Sequence, residues 1–468
     1  MKRLVFLLLA VTSAAAQSQR PMTYSTLSEG QAISGFRTTA VYLNDSDLPM
    51  GARFTHQRSG FTLDVLDIQS VPQAFVWVRT YPSSDMGEPH TQEHLLLGKG
   101  NKGRDVANRE STSLTSSTAF TAQWKTCYTF YTSAGASVFF DEFERRMDAL
   151  LHPDYTDEEI RREVRNFGVS TNPSDNSLRL EEKGTVYNEM VTSMDQPGRL
   201  LYYAGLTMIY GKQHPLSYVS GGTPEGIRLM QPSDIRKFHA QNYHLANMGA
   251  IVSVPKEVSL VNVLSSLDAS LNRIQPQRPN QPVISEKNLP AAKPSPAGEI
   301  RYVNYPNRNE QQPGQVRITW PAERSFDVRE RSLFELFLET FAGDPTTNLY
   351  KRLIDSRTRE IEFGAQSVSA GFQEEEGYAT TIAFGDVPVS KMNDQYLSDI
   401  RTRVIDELRK IASWKDGSPE LVEFNNRLRS RVIETRRGLS KFVNSPPGFG
   451  FRGGGDEWEF QLGLLQKL

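Results

Sequence analysis

The order of hydrophobic and polar positions predicts a chain in which strands and helices are mixed. Between about residues 20 and 275, strand-like runs such as residues 74–78 alternate with stretches whose apolar residues recur at helical spacing. Phe139, Phe143 and Met147 form one such apolar stripe, and Thr156 with Glu159 forms a capping box that predicts the start of the next helix. These patterns predict a layered domain over residues 20–275 that contains both element types.

A change in composition predicts the end of this first domain. Residues 276–298 contain six prolines and almost no apolar periodicity, which is typical of an extended linker. A second domain is then predicted over residues 299–443, with a strand at 316–320, a helix around Phe334 and Phe341, and a strand around 378–384. Its order of elements echoes the first domain, and it contains no histidine. Residues 444–468 are glycine-rich and are predicted to be a tail or hinge.

Composition and charge narrow the functional classes. The 468 residues are 38% hydrophobic and 23% charged, as in ordinary globular proteins. The net charge of −2 argues against a protein that binds nucleic acids or membrane surfaces. Cys127 is the single cysteine, so no disulfide can form within the chain.

The start of the chain predicts an export signal at residues 1–16. Lys2 and Arg3 precede an apolar run and then three alanines, and no later stretch is apolar enough to span a membrane. We therefore expect a periplasmic or secreted protein. An organelle transit peptide is the alternative, although such peptides are amphipathic and rich in Arg and Ser.

Two histidines carry the strongest chemical signal. His90 and His94 are four residues apart and would share one face of a helix, with Glu93 beside them. Such a face can hold zinc and activate water. A helix that merely carries two packed or exposed histidines is the alternative, because short motifs also occur by chance.

Catalytic zinc needs a third protein ligand and one open position. Residues 181–193 are compatible with a helix on which Glu182 and Glu189, seven residues apart, share a face. Both carboxylates could then point to one site. A solvated acidic stripe is the alternative interpretation of this spacing.

The order His-x-x-Glu-His resembles the motif of the inverzincins, the metallopeptidases of the insulinase and pitrilysin type. Residues 87–98 are similar to the signature of this family, especially of its presequence-protease branch, and residues 184–190 are similar to the segment that supplies its third ligand. Residues 220–224, 238–244 and 343–351 match further landmarks, so that the resemblance covers nearly the whole chain.

The resemblance implies an α+β fold of two similar domains, each a mainly antiparallel sheet with helices packed on it. It implies that His90, His94 and Glu189 bind Zn²⁺, with Glu93 as the general base toward water. It also implies that Glu182 orients a histidine or the water.

The family also binds peptides by adding them to an edge strand near the metal. Residues 115–127 align with that strand, which makes Thr118, Ala119 and Phe120 the predicted substrate-binding residues. Family members commonly have Asn where this chain has Thr118, and an ordinary core strand is the alternative.

Long members of the family consist of four similar domains that form two halves around a chamber, and this chain resembles the first two. The second half of such members donates an arginine and a tyrosine to the substrate, for which we find no candidate here. The resemblance therefore predicts a zinc endopeptidase for short or unfolded peptides that needs a second half or a partner subunit and has weak or no activity alone. A non-catalytic half-chamber subunit and a metal-binding protein without hydrolysis are the alternatives.

Overall fold

The computed structural model describes residues 23–43, 47–275, 277, 280–283, 288–321, 326–372 and 379–443. The predicted export signal at residues 1–16 and the predicted tail at residues 444–468 lie outside the described residues. None of the described helices is both long enough and apolar enough to cross a membrane.

Thirteen strands fall into three sheets within the described residues. Their bounds are β1 Ala32–Ile33, β2 Phe36–Leu43, β3 Pro49–His56, β4 Thr62–Leu66, β5 Gln73–Arg79, β6 Thr115–Thr121, β7 Lys125–Thr132, β8 Asn166–Thr171, β9 Leu178–Lys183, β10 Met248–Ser253, β11 Gly314–Trp320, β12 Ser367–Phe372 and β13 Thr380–Val387. The first sheet has eight strands in the order β1-β2-β3-β4-β10-β5-β7-β6, which makes β6 an edge strand. All its neighbours are antiparallel except β10 and β4.

The helices are distributed around and between these sheets. Their bounds are α1 Glu88–Leu96, α2 Gly100–Arg109, α3 Ala136–Leu151, α4 Asp157–Val164, α5 Thr185–Met194, α6 Pro197–Tyr210, α7 Pro224–Ile227, α8 Pro232–Asn242, α9 Leu260–Ile274, α10 Val328–Phe341, α11 Asn348–Leu353, α12 Asp394–Ala412 and α13 Pro419–Val443.

The eight-stranded sheet separates two apolar cores. In β5, Val76 and Val78 face the larger core under the helices, whereas Phe75 and Trp77 face a smaller core on the other side. Because both faces of the strand are covered, its sequence is apolar at successive positions instead of alternating. The predicted strand at residues 74–78 therefore lies at the centre of the sheet.

The second half of the described chain builds its own core. Strands β11, β13 and β12 form a three-stranded antiparallel sheet in this order, against which α10 to α12 pack. Phe341, Phe363 and Phe384 are fully buried there. The predicted α+β fold with mainly antiparallel sheets is confirmed, and the predicted domain boundaries stay a prediction.

Part of the proline-rich stretch lies along α6. The backbone N–H groups of Lys293 and Ser295 donate to the carbonyl oxygens of Tyr210 and Met208 at 2.9 and 2.7 Å. This portion of the predicted linker is therefore fixed to the first domain by main-chain hydrogen bonds instead of forming a free spacer.

Two predicted elements are divided in the structure. Residues 181–193 do not form one helix, because β9 ends at Lys183 and α5 begins at Thr185. Gly184 between them has a φ of +132°, and a Cβ at this position would lie 2.5 Å from the carbonyl oxygen of Val164. Only glycine fits such a close approach with positive φ. Likewise, residues 115–127 form two strands, β6 and β7, joined by a turn at residues 122–124.

Candidate active site

Helix α1 places the two histidines in the interior of the first domain. It begins after Gly87, whose φ is +81° and whose Cβ, if present, would lie 2.4 Å from the carbonyl oxygen of Gly221. Pro89 lies in the first turn, where a missing N–H costs nothing. The close contact with Gly221 therefore fixes the start of a helix on which His90 is 9% exposed and Glu93 is 6% exposed.

The imidazoles of His90 and His94 converge with the carboxylate of Glu189 from α5. The two Nε2 atoms are 3.2 Å apart, and each lies 3.5 Å from one oxygen of Glu189. Ligands that surround zinc tetrahedrally at about 2.0–2.2 Å are separated from one another by about 3.3–3.6 Å. Two imidazoles and one carboxylate are also a common donor set for catalytic zinc. The three side chains therefore fit a zinc ion in both spacing and chemistry.

Glu189 is the most exposed member of the three. Its side chain is 53% exposed, compared with 11% for His90 and 17% for His94. A hydrogen bond with His90 lowers the pKa of Glu189, so the carboxylate stays charged. The group is thus closed on the side of α1 and open on the side of α5, where water and a ligand can approach.

Glu163 on α4 holds the outer nitrogen of His94. Its Oε1 lies 2.9 Å from Nδ1 of His94, and its Oε2 lies 2.9 Å from Nζ of Lys99. Burial alone would raise the pKa of Glu163, but the hydrogen bonds from His94 and Lys99 lower it to about 2. A carboxylate at this position accepts a hydrogen bond from Nδ1–H, which leaves the lone pair of Nε2 free toward His90 and Glu189.

The carboxylate of Glu93 lies beside this group and belongs to the same helix. Its Oε2 accepts a hydrogen bond of 2.7 Å from Oγ1 of Thr121 on β6. Burial raises the pKa of Glu93, although the hydrogen bond from Thr121 acts in the opposite direction. Among the described residues, no side chain donates to Oε1, so this oxygen is available to a water molecule.

The structure contradicts the predicted position of Glu182. This residue lies on β9, before the break at Gly184, and its carboxylate accepts hydrogen bonds from Arg165 at 2.7 Å, from Arg228 at 2.7 Å and from Tyr187 at 2.6 Å. Glu182 therefore closes the base of the β8–β9 hairpin and has no bond to either histidine. The orienting contact that was predicted for Glu182 is made by Glu163.

Sequence reasoning missed Glu163, although a signal was present. Ile160 and Val164 are buried on α4, and Glu163 lies on the same side of the helix with 5% exposure. An acidic residue on the apolar face of a helix needs a buried partner, and in this chain that partner is His94.

The predicted substrate-binding residues lie on β6, at the edge of the first sheet and beside α1. Ala119 packs against the larger core, whereas the ring of Phe120 packs against Phe75 in the smaller core, with centroids 6.1 Å apart. The carbonyl oxygen of Thr118 accepts a hydrogen bond of 3.3 Å from Thr129. The outer edge of β6 has no strand partner among the described residues, which leaves its main-chain groups accessible for pairing.

The chain has the fold of the M16 peptidases. A putative M16-like peptidase from Alicyclobacillus acidocaldarius superposes with a TM-score of 0.58 at 17% identity, covering 94% of each chain. Pitrilysin superposes with a TM-score of 0.57 at 15% identity, and the match covers 92% of this chain and 43% of pitrilysin. A chain described as a peptidase M16 inactive domain from Pseudomonas fluorescens superposes with a TM-score of 0.59 at 12% identity, covering 89% of this chain and 91% of that one. Because chains named as peptidases and a chain named as an inactive domain share this fold, the catalytic assignment depends on the site residues.

Curated relatives narrow the resemblance to one branch. The mitochondrial presequence protease of Gibberella zeae is 27% identical over 348 residues, which are 71% of this chain and 33% of that protein. The mitochondrial presequence protease of Candida albicans is 25% identical over 397 residues, which are 80% of this chain and 35% of that protein. No protein-family profile matches the chain. The predicted resemblance to insulinase and pitrilysin peptidases, and to presequence proteases among them, is confirmed, and the chain spans about a third of the length of these relatives.

The predicted periplasmic or secreted location is wrong. The matching presequence proteases are named as mitochondrial proteins, and this finding contradicts the predicted location. The basic start and apolar run at the N-terminus favoured export over an organelle transit peptide, and the relatives contradict that choice.

Proposed function

We propose that this chain is the zinc-binding half of a metalloendopeptidase that hydrolyses short or unfolded peptides. The observation that carries the proposal is the convergence of His90, His94 and Glu189, whose donor atoms lie within 4.8 Å of one another. When bound there, zinc would supply a Lewis acid that makes water more acidic and polarises a peptide carbonyl.

The other residues of the site have roles that follow from their contacts. Glu93 takes a proton from the attacking water on its free Oε1 and returns it to the leaving amine. Glu163 keeps the proton of His94 on Nδ1, so that Nε2 acts as a ligand. The open edge of β6, with Thr118 to Phe120, binds the main chain of an extended peptide as an additional strand.

Residues 20–275 would form the catalytic domain and residues 299–443 a non-catalytic wall. The chain matches about a third of the length of its presequence-protease relatives, and we therefore propose that a second half or a partner subunit completes the substrate chamber. The names of the relatives favour mitochondrial targeting peptides as substrates and the mitochondrion as the location.

A non-catalytic half-chamber subunit is the second candidate. The observation that favours it is the similarity to the inactive M16 chain of Pseudomonas fluorescens. A pure scaffold has no need for a complete set of zinc ligands with a carboxylate base beside them, and for this reason we prefer the enzyme.

The substitution Glu93→Gln tests the proposal. It removes the base while keeping the size of the side chain and the acceptor for Thr121. We expect the variant to bind zinc like the wild type and to cleave an unstructured fluorogenic peptide at least about 100-fold more slowly. The assay is run with the chain alone and together with the polypeptide that supplies the second half. A Glu93→Gln protein that cleaves at the wild-type rate would remove Glu93 as the base, and a wild type that binds zinc but cleaves nothing under either condition would favour the scaffold.

A further inference from the structure

Thr121 connects the edge strand β6 to the carboxylate of Glu93. Its Oγ1 donates to Oε2 of Glu93 at 2.7 Å, and this is the only hydrogen bond made by the Glu93 side chain to the described residues. A glutamate side chain has three rotatable bonds, and α1 fixes only its backbone. The orientation of this buried carboxylate therefore depends on one hydroxyl group from another element.

Further hydroxyl groups stand behind Thr121 in the interior. Oγ1 of Thr121 lies 3.4 Å from Oγ1 of Thr126 on β7, which in turn lies 2.8 Å from Oγ1 of Thr80. Thr80 and Thr126 are fully buried. A hydroxyl group has one proton to donate and can accept from a second group. Thr121 can therefore accept from Thr126 while its own proton stays directed toward Glu93.

We propose that Thr121 is a positioning residue for the reaction. Its hydroxyl group holds Oε2 of Glu93, so that Oε1 remains the oxygen that faces the attacking water. Because Thr121 ends the strand on which the peptide would be added, it also fixes the base relative to the bound main chain. The inference rests on the proposed role of Glu93 and adds the group that keeps Glu93 in its reactive orientation.

The alternative is that Thr121 only satisfies a buried polar group and supports folding. The two roles differ in what they affect. A folding role lowers the unfolding temperature and changes all activities together, whereas a positioning role lowers kcat with little change in KM, because catalytic geometry must hold to about 0.5 Å while peptide binding does not depend on the base.

The test compares Thr121→Val, which removes the hydroxyl group at nearly constant shape, with Thr121→Ser, which keeps it. Thr62→Val is the matched control, because Thr62 lies on β4, which three other strands separate from β6 in the sheet order. For the full chain with its second half, we expect Thr121→Val to lower kcat roughly 10- to 100-fold, with KM and zinc content within about 2-fold of the wild type. Thr121→Ser should recover most of the rate, and Thr62→Val should match the wild type. Equal rates in Thr121→Val and the wild type, or equal losses in the Val and Ser variants, would overturn the proposal.

Crystal structures of the zinc-loaded variants separate this inference from the proposed function. We expect the Glu93 carboxylate to move by about 1 Å or more in Thr121→Val and to keep its place in Thr121→Ser. If the wild type shows no turnover but Glu93 still moves in Thr121→Val, the peptidase proposal is refuted and the positioning contact remains valid. A Glu93 side chain that stays in place in Thr121→Val would refute the positioning role whatever the activity.

Discussion

Removal of the Glu163 carboxylate should weaken zinc binding, although none of the three proposed zinc ligands is replaced. Glu163 lies 2.9 Å from Nδ1 of His94, on the side of the ring opposite Nε2. Glu163→Gln keeps an acceptor oxygen for His94 but removes the negative charge, and Glu163→Ala removes both. The structure therefore predicts a graded effect, with the alanine variant weaker than the glutamine variant.

The size of the effect follows from the environment of the carboxylate. The pKa of Glu163 is lowered to about 2, from an ordinary value of 4.5, against the effect of burial. Such a shift corresponds to roughly 3 kcal/mol in favour of the charged form, and hydrogen bonds from His94, Lys99 and Thr185 all contribute to it. Removal of a carboxylate behind a histidine ligand usually lowers metal affinity by about 10- to 100-fold. We expect about 10-fold for Glu163→Gln and about 100-fold for Glu163→Ala.

Competition for zinc with a chromophoric chelator at neutral pH measures this affinity. Glu158→Gln is the control on the same helix, because Glu158 is 62% exposed and, among the described residues, pairs only with Arg162 at the surface. This variant should bind zinc like the wild type. If both Glu163 variants bind zinc within about 2-fold of the wild type, Glu163 does not orient His94 and the description of the site is wrong.

Three further predictions concern residues of the first domain that are not proposed zinc ligands. Gly184→Ala should destabilise the first domain by about 2 kcal/mol or more in thermal unfolding, because φ at this position is +132° and the added Cβ would meet the Val164 carbonyl. Gly205 lies within α6 with open space around it, so the control Gly205→Ala should stabilise the domain by about 0.5–1 kcal/mol. Similar effects at both glycines would contradict the close approach at Gly184. Glu182→Ala should leave the zinc affinity unchanged in the chelator assay, because the Glu182 carboxylate bonds to Arg165 and Arg228 and to neither His90 nor His94. A loss of affinity as large as that of Glu163→Ala would restore the predicted role of Glu182. Burial lowers the pKa of His239 to about 4, so the unfolded chain takes up this proton first as the pH falls, and the free energy of unfolding should decrease by roughly 2.5 kcal/mol between pH 6.5 and 4. His239→Gln should reduce that slope in urea titrations, and an unchanged slope would refute the burial of a neutral ring.

The sequence was informative where the signal is local and periodic. Helix α3, strand β5 and the capping box before α4 follow from patterns within one element. The interpretation of the spacing between Glu182 and Glu189 was wrong, because it assumed one continuous helix. Strand β9 and helix α5 are instead separated at Gly184, where the backbone approaches Val164.

Contacts between distant segments could not be predicted in this way. Glu163 is 69 residues from His94, and Thr121 is 28 residues from Glu93. Neither pair follows from a spacing along the chain, because each depends on how α4 and β6 pack against α1. The family resemblance gave the ligands on α1 and α5, and the fold was needed to find the residues that support them.

The central claim is that His90, His94 and Glu189 together hold one zinc ion, and metal analysis tests it most directly. The wild type and Glu189→Gln are equilibrated with buffered zinc, freed of unbound metal and measured for zinc per chain. We predict one zinc ion per wild-type chain and an affinity lower by roughly 100-fold or more in Glu189→Gln, since the carboxylate ligand becomes a neutral amide. A wild type without zinc, or a Glu189→Gln protein that binds it as tightly as the wild type, would contradict the account.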